Sequence, residues 1–286
     1  MKPIVIISVA LLALTSCLPS GEKKQRRFLT GNWKHSVDIT KINTPSATSY
    51  FSRRGTYLLF LNDSIVDTKT PYFLKEDSLK QSAFDFIGTT TKYKIEDDSL
   101  SLFNPTSLTW EAGQRVIKAT PDTLILAAAN GDPVIFTKFN EEVDSVQVAD
   151  KIVLSTSGCN GKCPITNIII SSNGEVIFFG EKFVERPGFF EGRISKQEYK
   201  TLEGNFKKAG IKNLNNRYAL SFIDEETVTV AFLKNDKIIQ SIKDYGKAGP
   251  DELVAAYVPL RFLFQRLTFR ELPERDLPVY LGPALF

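Results

Sequence analysis

Apolar runs with a two-residue period, each cut short by Asn, Asp, Gly, Ser or Pro, recur along most of this chain, and that pattern commits it to a fold built from hairpins. Alternation puts one face of each run toward a core and the other toward water. The punctuating residues adopt the backbone angles that tight reversals need. Tyr57-Leu58-Leu59-Phe60-Leu61 runs into Asn62-Asp63-Ser64 and then Ile65-Val66. Lys92-Tyr93-Lys94-Ile95 runs into Glu96-Asp97-Asp98-Ser99 and then Leu100-Ser101-Leu102-Phe103. Val116 to Ala119 and Thr123 to Leu126 flank Thr120-Pro121-Asp122, and Val134-Ile135-Phe136 follows Asn130-Gly131-Asp132. With 21 Phe and 1 Met the composition also suits half-buried sheet better than a helical bundle. Over residues 28–139 the spacing predicts an antiparallel meander closing into a small barrel, because closure removes exposed edges.

The second half mixes two periods. Lys151-Ile152-Val153-Leu154-Ser155 reads as a strand, and Ile165 to Ser171 and Glu175 to Val184 flank the turn Ser172-Asn173-Gly174. Ser195-Lys196-Gln197-Glu198 is a capping box, with the serine hydroxyl accepting from the Glu198 amide and the glutamate reaching back. The helix it opens runs to about Ala209, burying Tyr199, Leu202, Phe206 and Ala209 at three-and-four spacing. Thr227 to Leu233 and Lys237 to Ile242 flank Lys234-Asn235-Asp236, and Gly249-Pro250-Asp251-Glu252 opens a last helix. Its inward stripe is Leu253, Ala256, Tyr257, Leu260, Leu263, Phe264 and Leu267, kinked at Pro259. Residues 146–267 are thus expected to be an α+β domain with two helices on one sheet face. The expected fold class is mainly β, a barrel followed by that domain. Glu141-Glu142-Val143-Asp144 marks the linker, and 268–286 is a Pro-rich apolar tail that packs on a domain or docks to a partner.

The N-terminus carries a resemblance. Lys2 precedes an apolar run from Ile4 to Leu14, too short to span a bilayer as a helix, and Leu14-Thr15-Ser16-Cys17 follows. This is similar to the bacterial lipobox. The resemblance implies that residues 1–16 are a signal peptide, that Cys17 receives a diacylglycerol, and that N-acylation, as by palmitate, usually follows cleavage. Such chains anchor a protein without crossing the membrane. Residues 17–27 read as a tether whose Lys23, Lys24, Arg26 and Arg27 either touch anionic headgroups or are simply solvated. In Bacteroidetes-like lipoproteins an acidic run after the cysteine marks surface export. None follows here, so the resemblance implies a cell-envelope location at the outer membrane, facing the periplasm.

Gly31-Asn32-Trp33, the Tyr93 to Phe103 hairpin and the Asp122 to Leu126 strand resemble bacterial lipocalin-like lipoprotein domains. In that family the Gly-x-Trp tryptophan closes the barrel base, which gives Gly31 and Trp33 a structural role. The family often holds an apolar ligand inside the barrel. In a domain this small, Phe84, Phe86, Phe103, Trp110 and Phe136 compete for interior space, so a barrel filled by its own side chains is expected and a small apolar ligand is the alternative.

Gly158-Cys159-Asn160-Gly161-Lys162-Cys163-Pro164, the Asn173-Gly174 hairpin and Asp244-Tyr245-Gly246 resemble a family of uncharacterised bacterial envelope domains. Cys159 and Cys163 are expected to form a structural disulfide, since thiols oxidise outside the cytoplasm and Cys17 is taken by lipid. A redox pair is the alternative, but such pairs usually have two intervening residues and open a helix, whereas Pro164 leads into a strand. Zinc would need further ligands, and the chain's 1 histidine, His35, lies in the other domain. That scarcity also argues against histidine-assisted nucleophilic catalysis. The carboxylate clusters Asp97-Asp98 and Asp224-Glu225-Glu226 read as solvated loops. A formal charge of +3 from 36 basic and 33 acidic residues does not mark a nucleic-acid binder. The expectation is a non-catalytic binding or interaction module without a cofactor or metal. Its partners would be the membrane through its lipid, and an envelope protein or a small apolar ligand. A carrier of such a ligand and an envelope thiol-disulfide oxidoreductase are the alternatives.

Overall fold

The structure is a computed structural model that describes residues 29–35, 56–75, 84–128, 130–140, 149–221 and 224–273. The expected signal peptide, Cys17, the expected tether, the expected linker at Glu141 to Asp144 and the tail beyond residue 273 lie outside the described residues.

The first sheet is a closed antiparallel barrel of β1 (Gly31–His35), β2 (Thr56–Phe60), β3 (Ile65–Lys75), β4 (Phe84–Glu96), β5 (Ser99–Asn104), β7 (Gln114–Ala119), β8 (Thr123–Ala127) and β9 (Pro133–Lys138). β1 pairs with β9, and the β4–β5 hairpin completes the ring. The two-residue β6 (Thr109–Trp110) hangs on β5 alone. At the β4–β5 turn Asp97 and Asp98 both take left-handed φ, 48° and 56°, the geometry of a tight hairpin reversal.

The barrel interior is filled by Trp33, Leu58, Phe60, Val66, Ile95, Leu100, Leu124, Leu126 and Phe136 among others. Trp33 is fully buried, and its Nε1 donates to the Leu29 carbonyl at 2.9 Å. Gly31 precedes it at φ +126°, where a Cβ would also meet the Lys138 side chain at 2.7 Å.

Of the aromatics expected inside, Phe136 is there and three are not. Phe86 lies beyond a bulge in β4, where Gly88 pairs with Tyr72 but Phe86 with the next residue, Phe73, and it packs against the core of the second domain. Phe103 takes the outward parity relative to Leu100, and Trp110, on the detached β6, is 42% exposed and rests edge-on against Phe103 at 5.5 Å. The side chain of Phe84 lies outside the described residues.

The second sheet runs β14-β16-β15-β10-β11-β12-β13-β17. Its strands are β10 (Lys151–Thr156), β11 (Ile165–Ser171), β12 (Glu175–Lys182), β13 (Gly188–Arg193), β14 (Arg217–Ala219), β15 (Thr227–Lys234), β16 (Lys237–Tyr245) and β17 (Arg270–Glu271). Only β14–β16 among these pairs is parallel. Helices α1 (Lys196–Lys208) and α2 (Asp251–Arg261) cover one face, where Tyr199, Leu202 and Phe206 meet Ile152, Leu154, Phe178, Val230 and Phe232. Phe206 stands edge-on to Phe232 at 5.2 Å. The fold class is therefore mainly β, a barrel plus a sheet with two helices on one face.

Half of the expected capping box forms. Ser195 accepts from the Glu198 amide at 3.1 Å, but the Glu198 carboxylate pairs with Arg266 instead of turning back. α2 is also shorter than its apolar stripe. It ends at Arg261, two residues beyond Pro259, and a 3-10 turn at Leu263–Gln265 carries Leu263 into the core. Pro259 has no N–H to bond back to the Ala255 carbonyl, which leaves a gap in the ladder of the last turn, and the stripe continues in the tighter turn that follows.

Candidate functional site: a cleft between barrel and helices

α2 begins after Pro250, and its first turn holds Asp251 and Glu252, where negative charge complements the helix dipole. Glu252 does more than that. Its Oε1 accepts from Lys34 Nζ and from the Tyr57 hydroxyl, both at 2.7 Å, and so ties the helix to β1 and β2 of the barrel. Burial pushes the Glu252 carboxyl up, but hydrogen bonds from Lys34 and Tyr57 outweigh it and hold the group below the usual glutamate value. The Lys34 ammonium also sits 5.1 Å from the Tyr57 ring centre, and Phe139 meets that ring edge-on at 5.8 Å. A second seam lies at the far end of α2, where Phe262 packs on Phe73 and Phe86 at 5.2 and 5.5 Å and the Gln265 side chain accepts from the Phe86 amide at 2.9 Å.

Between these contacts is a cleft of about 180 Å³. Its barrel wall is Tyr57, Asp67, Lys69, Thr89, Phe139 and Asn140, and its helix wall is Asn205 and Lys208 of α1 with Glu252, Ala255, Ala256 and Pro259 of α2. Asp67 orders the barrel side: it accepts from the Lys69 amide at 2.9 Å and faces the Lys69 ammonium at 3.3 Å. Small alanines open the floor while charged and carboxamide groups of both signs ring it. The volume falls below the roughly 300–1,000 Å³ of ordinary ligand pockets, which suits a small polar solute or one inserted side chain.

The family-like motifs gather elsewhere, and they bear on structure. Cys159 and Cys163 are disulfide-bonded across the β10–β11 loop, with Cα atoms 5.7 Å apart. That loop is sewn to the strand beside it: Ser157 Oγ accepts from the Thr227 amide at 2.9 Å, and the Asn160 amide donates to the Asp224 carbonyl at 3.0 Å. Asp244 is buried at 1% exposure and accepts from the Gly249 amide at 2.8 Å and the Tyr257 hydroxyl at 3.1 Å, so it fixes the start of α2. Tyr245 accepts from the Glu225 amide at 3.1 Å. Gly246 turns at φ +62°, where a Cβ would meet Leu220 at 2.8 Å.

Two sequence expectations need correction or placement. Asp97 and Asp98 are exposed, as are Asp224 and Glu225, but Glu226 is buried at 3% exposure. It has the parity of Val228 and Val230, which turns it under α2 to pair with Arg261 at 2.7 Å. Burial raises its carboxyl, with Arg261 and Lys247 pulling the other way. His35 stays on β1, its Nδ1 bonded to the Ile135 carbonyl at 2.8 Å, far from any cysteine in sequence. Among the described residues no group of three or more His, Cys, Asp or Glu is placed to hold a metal, and no helix is long and apolar enough to cross a membrane.

The cleft itself went unread in the sequence. Glu252 looks like a helix-opening acid, and Tyr57 like one more apolar strand residue. The available signal was parity: Tyr57 is out of phase with Leu58 and Phe60, which puts a large aromatic on the outward face of its strand.

A family model described as a domain of unknown function, DUF6438, matches residues 150–264, nearly the whole second domain. No curated protein and no solved structure matches the chain.

Proposed function

We propose that this chain is a membrane-anchored envelope lipoprotein, lipidated at Cys17, that serves as a non-catalytic binding or interaction module facing the periplasm. The observation that carries the reading is the cleft, a concave polar site made jointly by the barrel and the two helices. Such a site takes a small polar solute, or a polar side chain presented by an envelope partner, and holds it by hydrogen bonds and charge. The lipobox-like Leu14 to Cys17 and the closed Cys159–Cys163 pair support a location outside the cytoplasm. The lipocalin-like resemblance of the barrel supports a binding role, but its packed interior favours the outer cleft over an apolar ligand inside. The disulfide favours a structural reading over thiol exchange, because Pro164 leads into β11 and no helix N-terminus follows to activate a thiolate.

Mass spectrometry of the protein extracted from membranes under native, non-reducing conditions tests this. The expected species begins at an acylated Cys17, has both remaining sulfurs oxidised, and carries an adduct that Ala255→Trp removes by filling the cleft. A chain that still begins at Met1 with free thiols would overturn the envelope reading. An adduct that survives Ala255→Trp would overturn the assignment of the cleft.

A further inference from the structure

The barrel wall made by β7, β8 and β9 is apolar on the outside as well as the inside. Val116, Ala119, Leu124, Leu126, Val134 and Phe136 pack into the barrel core. Strand parity therefore sends Thr123, Ile125, Ile135 and Thr137 outward. Ile125 stands directly beside Ile135. On β7 the register shifts between Val116 and Lys118, and the extra residue leaves both Ile117 and Lys118 outside, with Lys118 opposite Ile125. Ile117 is 45% exposed and Ile135 50%. A single exposed apolar side chain is ordinary, but here three branched ones line up on adjacent strands.

The charge on this wall has one sign. β7, β8 and β9 hold Arg115, Lys118 and Lys138 and neither Asp nor Glu. Arg115 and Lys118 are exposed, while Lys138 is turned over the Trp33 ring and donates to the Thr30 carbonyl. Acids occur only in the connecting turns. Asp122 accepts from the Thr120 and Thr123 hydroxyls, with Lys118 nearby, and Asp132 accepts from Asn130.

The end of the barrel where the chain enters β1 has the other sign. Gly31 pairs with Phe60, and the Tyr93 amide donates to the Ser64 carbonyl, which brings the β2–β3 and β4–β5 turns to that end. Asp63, Glu96, Asp97 and Asp98 are exposed there, Glu96 paired with Lys94. Around the ring, β7 and β8 stand opposite β2 and β3, which give Tyr57 and Asp67 to the cleft.

We propose that the outer wall of β7, β8 and β9 lies on a membrane surface that bears anionic headgroups. Ile117, Ile125 and Ile135 enter the interfacial layer, and Arg115 and Lys118 pair with headgroup phosphates. The proposal builds on the reading of the chain as a lipid-anchored envelope protein and adds the side on which it lies. An acyl chain and a basic apolar patch are two signals that together make membrane attachment stable. A second copy on this wall would set Arg115 and Lys118 against the same cations. The acidic end is repelled by such a surface, so the barrel lies on its side and the cleft faces away from the bilayer.

The test uses the acylated full chain, extracted from membranes and placed on vesicles of phosphatidylcholine alone or with roughly a third phosphatidylglycerol. An environment-sensitive dye is attached at Ile135→Cys or, as a remote exposed site on β16, at Ile238→Cys. On the anionic vesicles the dye at 135 is expected to shift to the blue and to be quenched by a lipid-borne nitroxide, and the dye at 238 to do neither. Arg115→Glu with Lys118→Glu should abolish the shift at 135, or raise the lipid needed for half of it by roughly tenfold or more, while the acyl chains keep the protein in the vesicle pellet. If Ile135→Cys fails to fold, Ile117→Cys reads the same wall. The pellet reports the anchor and the dye reports the wall, so the two readings fail separately. A dye at 135 that stays water-like at saturating anionic lipid overturns the proposal, whether or not the chain pellets. An equal shift on both kinds of vesicle, or at both labelled sites, also overturns it.

Discussion

Glu252 is the side chain through which the two halves of the molecule feel pH. Its folded-state carboxyl titrates below the ordinary value, so its stabilisation is fully present above the usual carboxylate range and is lost as pH falls through the lower folded value. Glu252→Gln keeps the shape and removes the charge from two hydrogen bonds. With a third of the side chain exposed, a loss of about 1 kcal/mol at neutral pH is expected. Denaturant unfolding should show the gap between parent and variant closing as pH falls from the usual carboxylate range through the lower folded-state value, because both then carry a neutral group. A gap unchanged in acid would show that the charge of Glu252 is not its source. Asp244 makes a simpler case. Asp244→Ala removes the buried acceptor that the Gly249 amide and the Tyr257 hydroxyl share, and roughly 2–4 kcal/mol should disappear from the unfolding free energy. The two residues also separate what sequence shows from what it hides. Asp244 sits in a recognisable Asp-Tyr-Gly, though the motif does not say that it anchors a helix. Glu252 sits in no motif, because its partners Lys34 and Tyr57 are some two hundred positions away.

Elements were legible wherever local chemistry decided them. The turns at Asp97-Asp98 and Asn235-Asp236 demand positive φ and flank alternating runs, so their hairpins follow from residue type alone. The buried stripe of α1 follows from its spacing. β13, β14 and β17 were not legible. β13 is bounded by Gly188 and holds adjacent Phe189 and Phe190, which face opposite sides of the sheet and blur any alternation, while β14 and β17 are edge strands of a few residues that exist only because a neighbour offers a ladder. The cysteine loop is an element of the first kind, closed over a very short span. In the chain-entropy picture a loop of about five residues yields only about 2 kcal/mol. Replacing Cys159 and Cys163 together by Ser should lower stability by that amount or less and leave ligand capture at the cleft unchanged, since the loop packs on the 224–227 segment and not on the barrel. Loss of binding in that variant, with stability intact, would return the sulfurs to a functional role.

At the scale of the whole molecule, the arrangement of barrel and sheet depends on outward-facing residues. Phe86 looks like a barrel-core residue in sequence because it is large and apolar, yet beyond the bulge in β4 it stacks on Phe262 instead. Tyr57 is turned outward toward Glu252 by its parity on β2, opposite to Leu58 and Phe60. Two contacts at opposite ends of α2, one polar and one aromatic, thus clamp the helix to the barrel and hold open the cleft between them. A clamp of this kind couples the unfolding of the two domains. The parent should therefore melt as one cooperative transition in scanning calorimetry. Phe262→Ala removes the ring that joins Phe73 and Phe86, worth roughly 2 kcal/mol for a partly buried aromatic. Combined with Glu252→Gln it weakens both ends of the helix at once. The two sites lie on opposite turns of α2 with no shared partner, so their effects should add. The double variant is expected to show two resolved transitions, with the helices and barrel still folded at room temperature but ligand capture at the cleft reduced, because the walls no longer keep their spacing. One transition of unchanged sharpness in the double variant would mean that the domains are joined through contacts other than these two.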